Sequence, residues 1–405
     1  MATTLAQQPP LTIAEYTAKA QETDRFTKVP DASRKLAFGF FGEIGGLLAA
    51  LKKVTRDQLH ESETDVAGEE IGDAMWYLVT IASSQAIDSE TLGLCCLASL
   101  RKRFMESEHD NQGEINFRQI DRLIALHGRG LDTCRIELLG ELARMSGKLI
   151  RNDNLSSLTL GHTPQADLLG QLLAMLGLVC ASFMLKLEDV VRDNLVKIHS
   201  RWPGRDRRYR QLFDNGFAEH EQLPHEIPIK FIERETSRGT YVVQQLHGVY
   251  IGDRLTDNIN EPDDYRFHDV FHLAYAAHLG WSPVIRALLK VKRKSNPKID
   301  ENEDGARAMI IEEGIATWIF NHAKKRAFYE DVSVGKLDYG LLKQIHSMVS
   351  GYEVDSCPLW QWEQAILDGF RVFRELRKPE HRGGTVIVNM TNHTLTFKPP
   401  SRVAL

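Results

Sequence analysis

The stretch "FGFFGEIGGLLAALKK", Phe38–Lys53, decides the fold of the N-terminal half. Its apolar residues recur at three- and four-residue spacing, the period of a helix with one buried face. One carboxylate, Glu43, stands among apolar residues and glycines. Gly46 follows three positions later, where a second carboxylate would share the same helical face. The stretch reads either as a metal-binding helix lacking one ligand or as a core helix with one odd acid.

A shift of 98 positions finds the same helix again. "GEIGGLLAALKK" from Gly42 falls on "GELARMSGKLIR" from Gly140, so Glu43 meets Glu141. The same shift lays "EEIGDAMWYL" from Glu69 on "DLLGQLLAML" from Asp167, and Gly72 meets Gly170. It also sets Glu90 on Glu188 and Arg103 on Arg201. One offset serving separated segments marks a repeat, with two copies packed as a pseudo-dimer. The copies differ in chemistry. Copy one keeps Glu43, Glu70 and Asp73, where copy two has Glu141, Leu168 and Gln171. Copy two carries Asn194, Lys197 and Arg201 in "NLVKIHSRWP", where copy one has Cys96, Ser99 and Arg103. Acids in one copy and phosphate-type donors in the other point to one composite site.

Helical periodicity runs outward from this stretch, from Leu11 to about Trp202, where Pro203 and Gly204 stop it. Residues 11–105 and 110–202 are read as the two copies, 203–225 as a linker and 226–400 as a C-terminal domain. In that domain "IPIKFIERE" (Ile227–Glu235), "TYVVQQLHGVYIG" (Thr240–Gly252) and "GGTVIVNMTNHTLTFK" (Gly383–Lys398) have strand character. A lone hairpin is marginal in water, so the last two strands are expected to pair with the earlier ones. The polar "KSNPKIDENEDG" (Lys294–Gly305) reads as a mobile loop inside a helical block from about Pro262 to Arg377. The predicted fold class is mainly α: a tandem helical-bundle pseudo-dimer, then a mostly helical α+β domain with a small antiparallel sheet.

Glu70 and Asp73 share a helix face, and an antiparallel neighbour could bring Glu43 to them. Three carboxylates suit a hard cation such as Mg²⁺ together with substrate phosphate oxygens. Lys53, Lys197 and Arg201 are candidate phosphate contacts, and Trp76 and Tyr77 candidate base contacts. The same acids would also suit a solvated helix face.

Four segments together, "LTIAEYTAKAQETDR", "FGFFGEIGGLLAALKK", "EEIGDAMWYLVTIA" and "NLVKIHSRWP", resemble the MazG-type all-α nucleoside triphosphate pyrophosphohydrolases over residues 11–202. The resemblance implies a helical bundle that oligomerises and, with Mg²⁺ (or Mn²⁺), hydrolyses (d)NTPs to monophosphate and pyrophosphate. Its metal motif, E-x-x-E followed by E-x-x-D, carries ligand roles onto Glu43, Glu70 and Asp73. On the hydrolase reading, Lys53, Asn194, Lys197 and Arg201 would contact phosphates or sugar, and Trp76 would line the base pocket. Gly46 stands where the family has its second Glu, and Glu69 or Glu141 is a candidate substitute. A nucleotide sensor without useful turnover is the alternative.

The second concentration of chemistry is "DDYRFHDVFHLAYAAHLGWSP". His268 and His272 are four apart on a predicted helix, so both can face one ion, and Asp269 follows the first. Glu312 and Glu313 lie in a mostly apolar helix, where an unpaired acid is costly. Two imidazoles with a carboxylate favour Zn²⁺, Mn²⁺ or Fe²⁺ over Mg²⁺. Alternatively, the histidines bond within a core and Glu312 pairs with Arg307 or Arg266, or His268, Asp269, Arg307 and Glu313 bind a ligand without metal. The block resembles the C-terminal domain found behind some MazG modules.

A net charge of −5 with 26% charged residues argues against a protein that coats nucleic acid. The basic "KVKRKSNPK" (Lys290–Lys298) reads as a solvated helix end. Five cysteines without regular spacing fit a reducing compartment, and no apolar run is read as membrane-spanning. The expected setting is the cytoplasm.

Overall fold

A computed structural model describes residues 9–26, 29–57, 62–107, 114–151, 164–204, 207–237 and 239–400, with the side chains of 53–57 and 151 left out. The chain forms two compact units, Met1–His199 and Ser200–Leu405. It is mainly α, with one five-stranded antiparallel sheet confined to the second unit.

Among the described residues, unit 1 has eight helices: α1 (Ile13–Glu22), α2 (Ala32–Asp57), α3 (Glu63–Ser84), α4 (Ser89–Phe104), α5 (Phe117–His127), α6 (Arg135–Arg151), α7 (Pro164–Ser182) and α8 (Leu187–Arg201), the last two residues of α8 counting with unit 2. The last four repeat the first four. Both series open on a capping box. The Thr12 side chain accepts from Glu15 N while Glu15 accepts from Thr12 N, and Asn116 and Gln119 do the same. The two caps are joined by an antiparallel bridge between Thr12 and Asn116. These first helices lie 104 positions apart, not 98, so the shift found in the sequence begins only at the second helix of each copy.

The repeat is visible in how the helices touch. A Cβ at Gly72 on α3 would stand 3.0 Å from Asn194 Cβ on α8. A Cβ at its counterpart Gly170 on α7 would stand 2.3 Å from Cys95 Cβ and 2.7 Å from the Cys95 carbonyl carbon on α4. Copy one's third helix thus meets copy two's fourth, and the reverse. Gly170→Ala is expected to destabilise unit 1 by about 1–3 kcal/mol or more, because backbone cannot swing aside. Gly42→Ala, on the open face of α2, is expected to be neutral or stabilising by up to about 1 kcal/mol. Urea titrations of both variants check the contrast.

By length and composition α7 is apolar enough to cross a bilayer, contrary to the sequence reading, yet 72% of that window is buried inside the unit. It is the central helix of the bundle, touching α3, α4, α5 and α6. A helix apolar on all sides is what such a position requires.

In unit 2 the strands are β1 (Glu226–Thr236), β2 (Gly239–Leu246), β3 (Val249–Leu255), β4 (Thr385–Asn389) and β5 (Thr394–Lys398), in the order β3-β2-β1-β4-β5. The expected pairing of the two chain ends is present: Ile229 of β1 faces Leu246 on one side and Val386 on the other. "TYVVQQLHGVYIG" is two strands, not one. His247 and Gly248 take positive φ (49° and 82°), which makes a tight hairpin turn. Ile227, Ile229 and Phe231 alternate inward and are fully or almost fully buried. The helices are α9 (Asp269–Leu279), α10 (Pro283–Leu289), α11 (Pro297–Asn302), α12 (Ala306–Lys324), α13 (Tyr339–Met348) and α14 (Leu359–Leu376). Every residue of α9 from Val270 to Leu279 is buried, packed between α14 and strands β4 and β5.

Two sequence readings are corrected here. Lys294–Gly305 is not a loose loop: Asn296 caps α11, and Asp304 is fully buried against Arg293. Arg293, from the basic run, therefore anchors the core. The segment 203–225 is also more than a linker. Asp214 accepts from Arg286 and from Leu223 N, and Glu221 accepts from Ser295, all within unit 2.

Candidate functional sites

Unit 1 gathers the acids around the junction of α2, α3 and α8. Glu70 and Asp73 project from one face of α3. Glu43 of α2 shares a hydrogen bond with Glu70. The Glu43 carboxyl is pushed up to about 8, first by burial and then by the charges of Asp73 and Glu70, with Lys197 opposing. Glu70 is raised as well, chiefly by burial. Glu43 is therefore the partner that keeps the proton and donates it to the Glu70 carboxylate.

Asp73 is held from α8. Asn194 Nδ2 donates to Asp73 Oδ1 at 2.9 Å, and Tyr16 Oη of α1 donates to Asn194 Oδ1 at 2.8 Å. Lys197 Nζ donates to Asp73 Oδ2 and, at 2.9 Å, to Glu69. The composite arrangement read from the repeat is present: acids from copy one, amide and ammonium from copy two. Gly46 is occupied in a physical sense. A Cβ there would stand 2.6 Å from Glu70 Oε2, so Glu70 fills the space a second α2 carboxylate would take.

Other candidates lie elsewhere. Trp76 is 7% exposed, and its indole donates to Ala20 O and Thr23 Oγ1, so it pins α1 to α3. Glu141 pairs with Arg103 at 2.9 Å, at the rim of a cavity of about 620 Å³. That cavity is the repeat's counterpart of the acidic site, with Gln171 where copy one has Asp73. Arg201, counted with unit 2, donates to Leu337 O and lies over the Trp202 and Tyr339 rings. The Lys53 side chain lies outside the described residues. The sequence alone assigns Tyr16 no role. Its role shows once Asn194 is seen to be its partner.

Glu43 supplies a pH prediction for the metal-free protein. A carboxyl raised in the fold adds stability below its ordinary range, and that stability is lost as pH climbs toward the folded value. In EDTA, unit 1 is expected to lose stability between about pH 5 and about pH 8, and Glu43→Gln to flatten that slope. Denaturant midpoints across this range test it.

Unit 2 holds the second cluster. His268 begins α9 and His272 lies one turn on, both buried. His268 Nδ1 meets the Tyr265 carbonyl at 2.9 Å, and His272 Nδ1 meets Glu312 Oε1 at 2.9 Å. Both partners only accept, so each Nδ1 carries the proton. Each Nε2 then turns toward the acids. His268 Nε2 is 3.1 Å from Asp269 Oδ1 and 3.9 Å from Glu313 Oε2, and His272 Nε2 is 3.3 Å from Glu313 Oε2. Ligand atoms of His268, Asp269 and His272 all lie within 4.8 Å of one another. Glu312 is fully buried and also accepts from Ser282 Oγ and Val284 N. It does not pair with Arg307 or Arg266; the latter is bound by Glu233, Asp257 and Asp264. Burial alone would lower the His272 pKa, but Glu312 and then Glu313 outweigh it and hold it well above the ordinary range.

An α-helical unit with a composite acid site, followed by an α+β unit with a His–carboxylate cluster on its central helix, is the class these observations define. Residues 208–401 match the family model of the MazG C-terminal domain. No curated protein and no solved structure matches the chain. The match covers the whole sheet and helices α9–α14, including the His–carboxylate cluster.

Proposed function

We propose that unit 1 is a divalent-cation-dependent nucleoside triphosphate pyrophosphohydrolase. The observation that carries this reading is the convergence of Glu43, Glu70 and Asp73 with Asn194 and Lys197 across the two copies. The donor set fits a hard ion: three carboxylates converge, and Glu43 is raised first by burial and then by the charges of Asp73 and Glu70. Glu43, Glu70 and Asp73 would hold Mg²⁺ or Mn²⁺, whose chemistry is to polarise phosphate oxygens and offset the charge that develops on them. The chain's own residues do the rest. Tyr16 and Asn194 fix the rotamer of Asp73. Lys197 places an ammonium beside the acids, where a polyphosphate needs positive charge. Glu69 holds that ammonium from its far side.

The likeness of unit 2 to a MazG-associated domain supports a nucleotide-related role for the chain. One observation favours a second reading, in which unit 1 binds nucleotide without useful turnover. Position 46 gives no carboxylate, and Glu70 leans into its place. Incubation with a panel of NTPs and dNTPs plus Mg²⁺, with pyrophosphate measured, separates the two. Pyrophosphate and monophosphate in equal amounts support hydrolysis. Saturable binding without release would leave the sensor. Gly46→Glu is expected to fold, since only the end of the Glu70 side chain must turn away. If the missing carboxylate limits turnover, its activity should exceed wild type in the same assay.

A further inference from the structure

We propose that unit 2 binds one divalent transition-metal ion of the Mn–Zn series between His268, Asp269, His272 and Glu313, independently of the acidic site in unit 1. Three observations carry this. First, the ligand atoms of His268, Asp269 and His272 lie within 4.8 Å of one another, and Glu313 Oε2 lies against both imidazoles. Ligands bound at about 2.0–2.2 Å stand roughly 3.3–3.6 Å apart at tetrahedral angles. The distances here, 3.1, 3.3 and 3.9 Å, straddle that range.

Second, His272 Nε2 is fully buried and makes no aligned hydrogen bond, with Glu313 Oε2 standing 3.3 Å away. A buried polar nitrogen without a hydrogen bond is costly, and natural folds rarely keep one without a role.

Third, the surroundings hold each ligand by its other end. Tyr265 O takes the His268 Nδ1 proton, and the Tyr265 ring stacks on the imidazole at 4.4 Å. Glu312 takes the His272 Nδ1 proton and is itself fixed by Ser282 Oγ and Val284 N. Gln244 of β2 donates to Asp269 Oδ2 at 2.7 Å, leaving Oδ1 on the histidine side. Metal-binding histidines are oriented in this way, by a carboxylate or carbonyl on the far nitrogen. An ion pair alone would need only one imidazole and one carboxylate.

Two imidazoles select against Mg²⁺ and Ca²⁺, and the absence of thiolates from the cluster selects against a closed structural zinc site. The Glu313 side chain is 44% exposed while His272 is fully buried, so the cluster opens to solvent on the Glu313 side. That is where a small ligand or water would complete the coordination.

The test uses the full chain and the ion alone. Apo protein is titrated with Co²⁺, following visible absorption, and with Zn²⁺ by calorimetry. Asp73→Asn serves as the background, to remove the unit 1 site. One equivalent with a Co²⁺ band is expected. Glu313→Gln, at the solvent edge, should weaken binding about 100-fold while leaving the circular dichroism unchanged. Glu312→Gln should weaken it about 10- to 100-fold, as loss of an orienting partner does. His268→Ala combined with His272→Ala should abolish the band. Equal Co²⁺ and Zn²⁺ binding by the background protein and a folded Glu313→Gln variant would overturn the site, as would no Co²⁺ band in the background protein.

Discussion

Asp73→Asn is expected to lower kcat/KM for nucleoside triphosphate hydrolysis by roughly 10²- to 10⁴-fold, with helix content unchanged. The replacement keeps the shape that Asn194 Nδ2 and Lys197 Nζ contact but removes the charge both contacts exist to hold. It also removes one of the three acids proposed to hold the ion. Asn194→Ala breaks the Tyr16–Asn194–Asp73 relay without touching a ligand, so a smaller loss of about 10- to 100-fold is expected. Gln171→Ala, the same helix position in copy two, is expected to leave activity as it was, because that copy lacks the acids. Pyrophosphate release from one good substrate measures all three. Wild-type turnover in a folded Asp73→Asn protein would remove unit 1's acids from the reaction.

The asymmetry between the copies explains why one repeat was legible and its consequence only partly so. Helix period, the 98-residue shift and the acid–amide exchange could be read because each follows from residue type and spacing. Convergence of Glu43 with Glu70 was one of two open readings of the sequence, beside a solvated helix face. The fate of Trp76 did not follow. An indole N–H finds a buried acceptor where one is near, and the Ala20 carbonyl is near only once α1 lies on α3. In unit 2 the ordering of Lys294–Gly305 was missed because its causes, the Arg293–Asp304 pair and the bonds from Ser295 to the distant Glu221, are hidden in polar stretches. The hairpin at His247–Gly248 was missed because its flanks read as one continuous strand. His268 and His272 were legible by spacing, whereas the second partners on their Nδ1 atoms come from a 3₁₀ turn and a distant helix.

Asp304→Ala is expected to be the most destabilising single substitution proposed, at about 3–5 kcal/mol, and to act on unit 2. Asp304 accepts from Arg293 N at 2.7 Å and from Arg293 Nη2 at 2.7 Å, and lies 3.7 Å from Arg286 Nε. Arg293 and Asp304 are fully buried and Arg286 nearly so. Removing the acid leaves two buried guanidiniums near each other, with Glu353 on Arg293 and Asp214 on Arg286 as remaining partners. The Arg286 pKa is already lowered, by burial first and by Arg293 second, so the pair repels before the acid is lost. For a domain of this size, such a loss corresponds to a fall in Tm of roughly 6–20 °C. Glu235→Ala is the contrast. It also breaks an arginine–carboxylate pair, with Arg382 at 3.3 Å, but the Glu235 side chain is 71% exposed. A change within about 0.5 kcal/mol is expected there. Hydrogen exchange should place the Asp304→Ala effect in α10, α11 and α12 and leave α1–α8 as protected as before. Equal effects from the two substitutions would mean that the buried cluster does not hold unit 2 together.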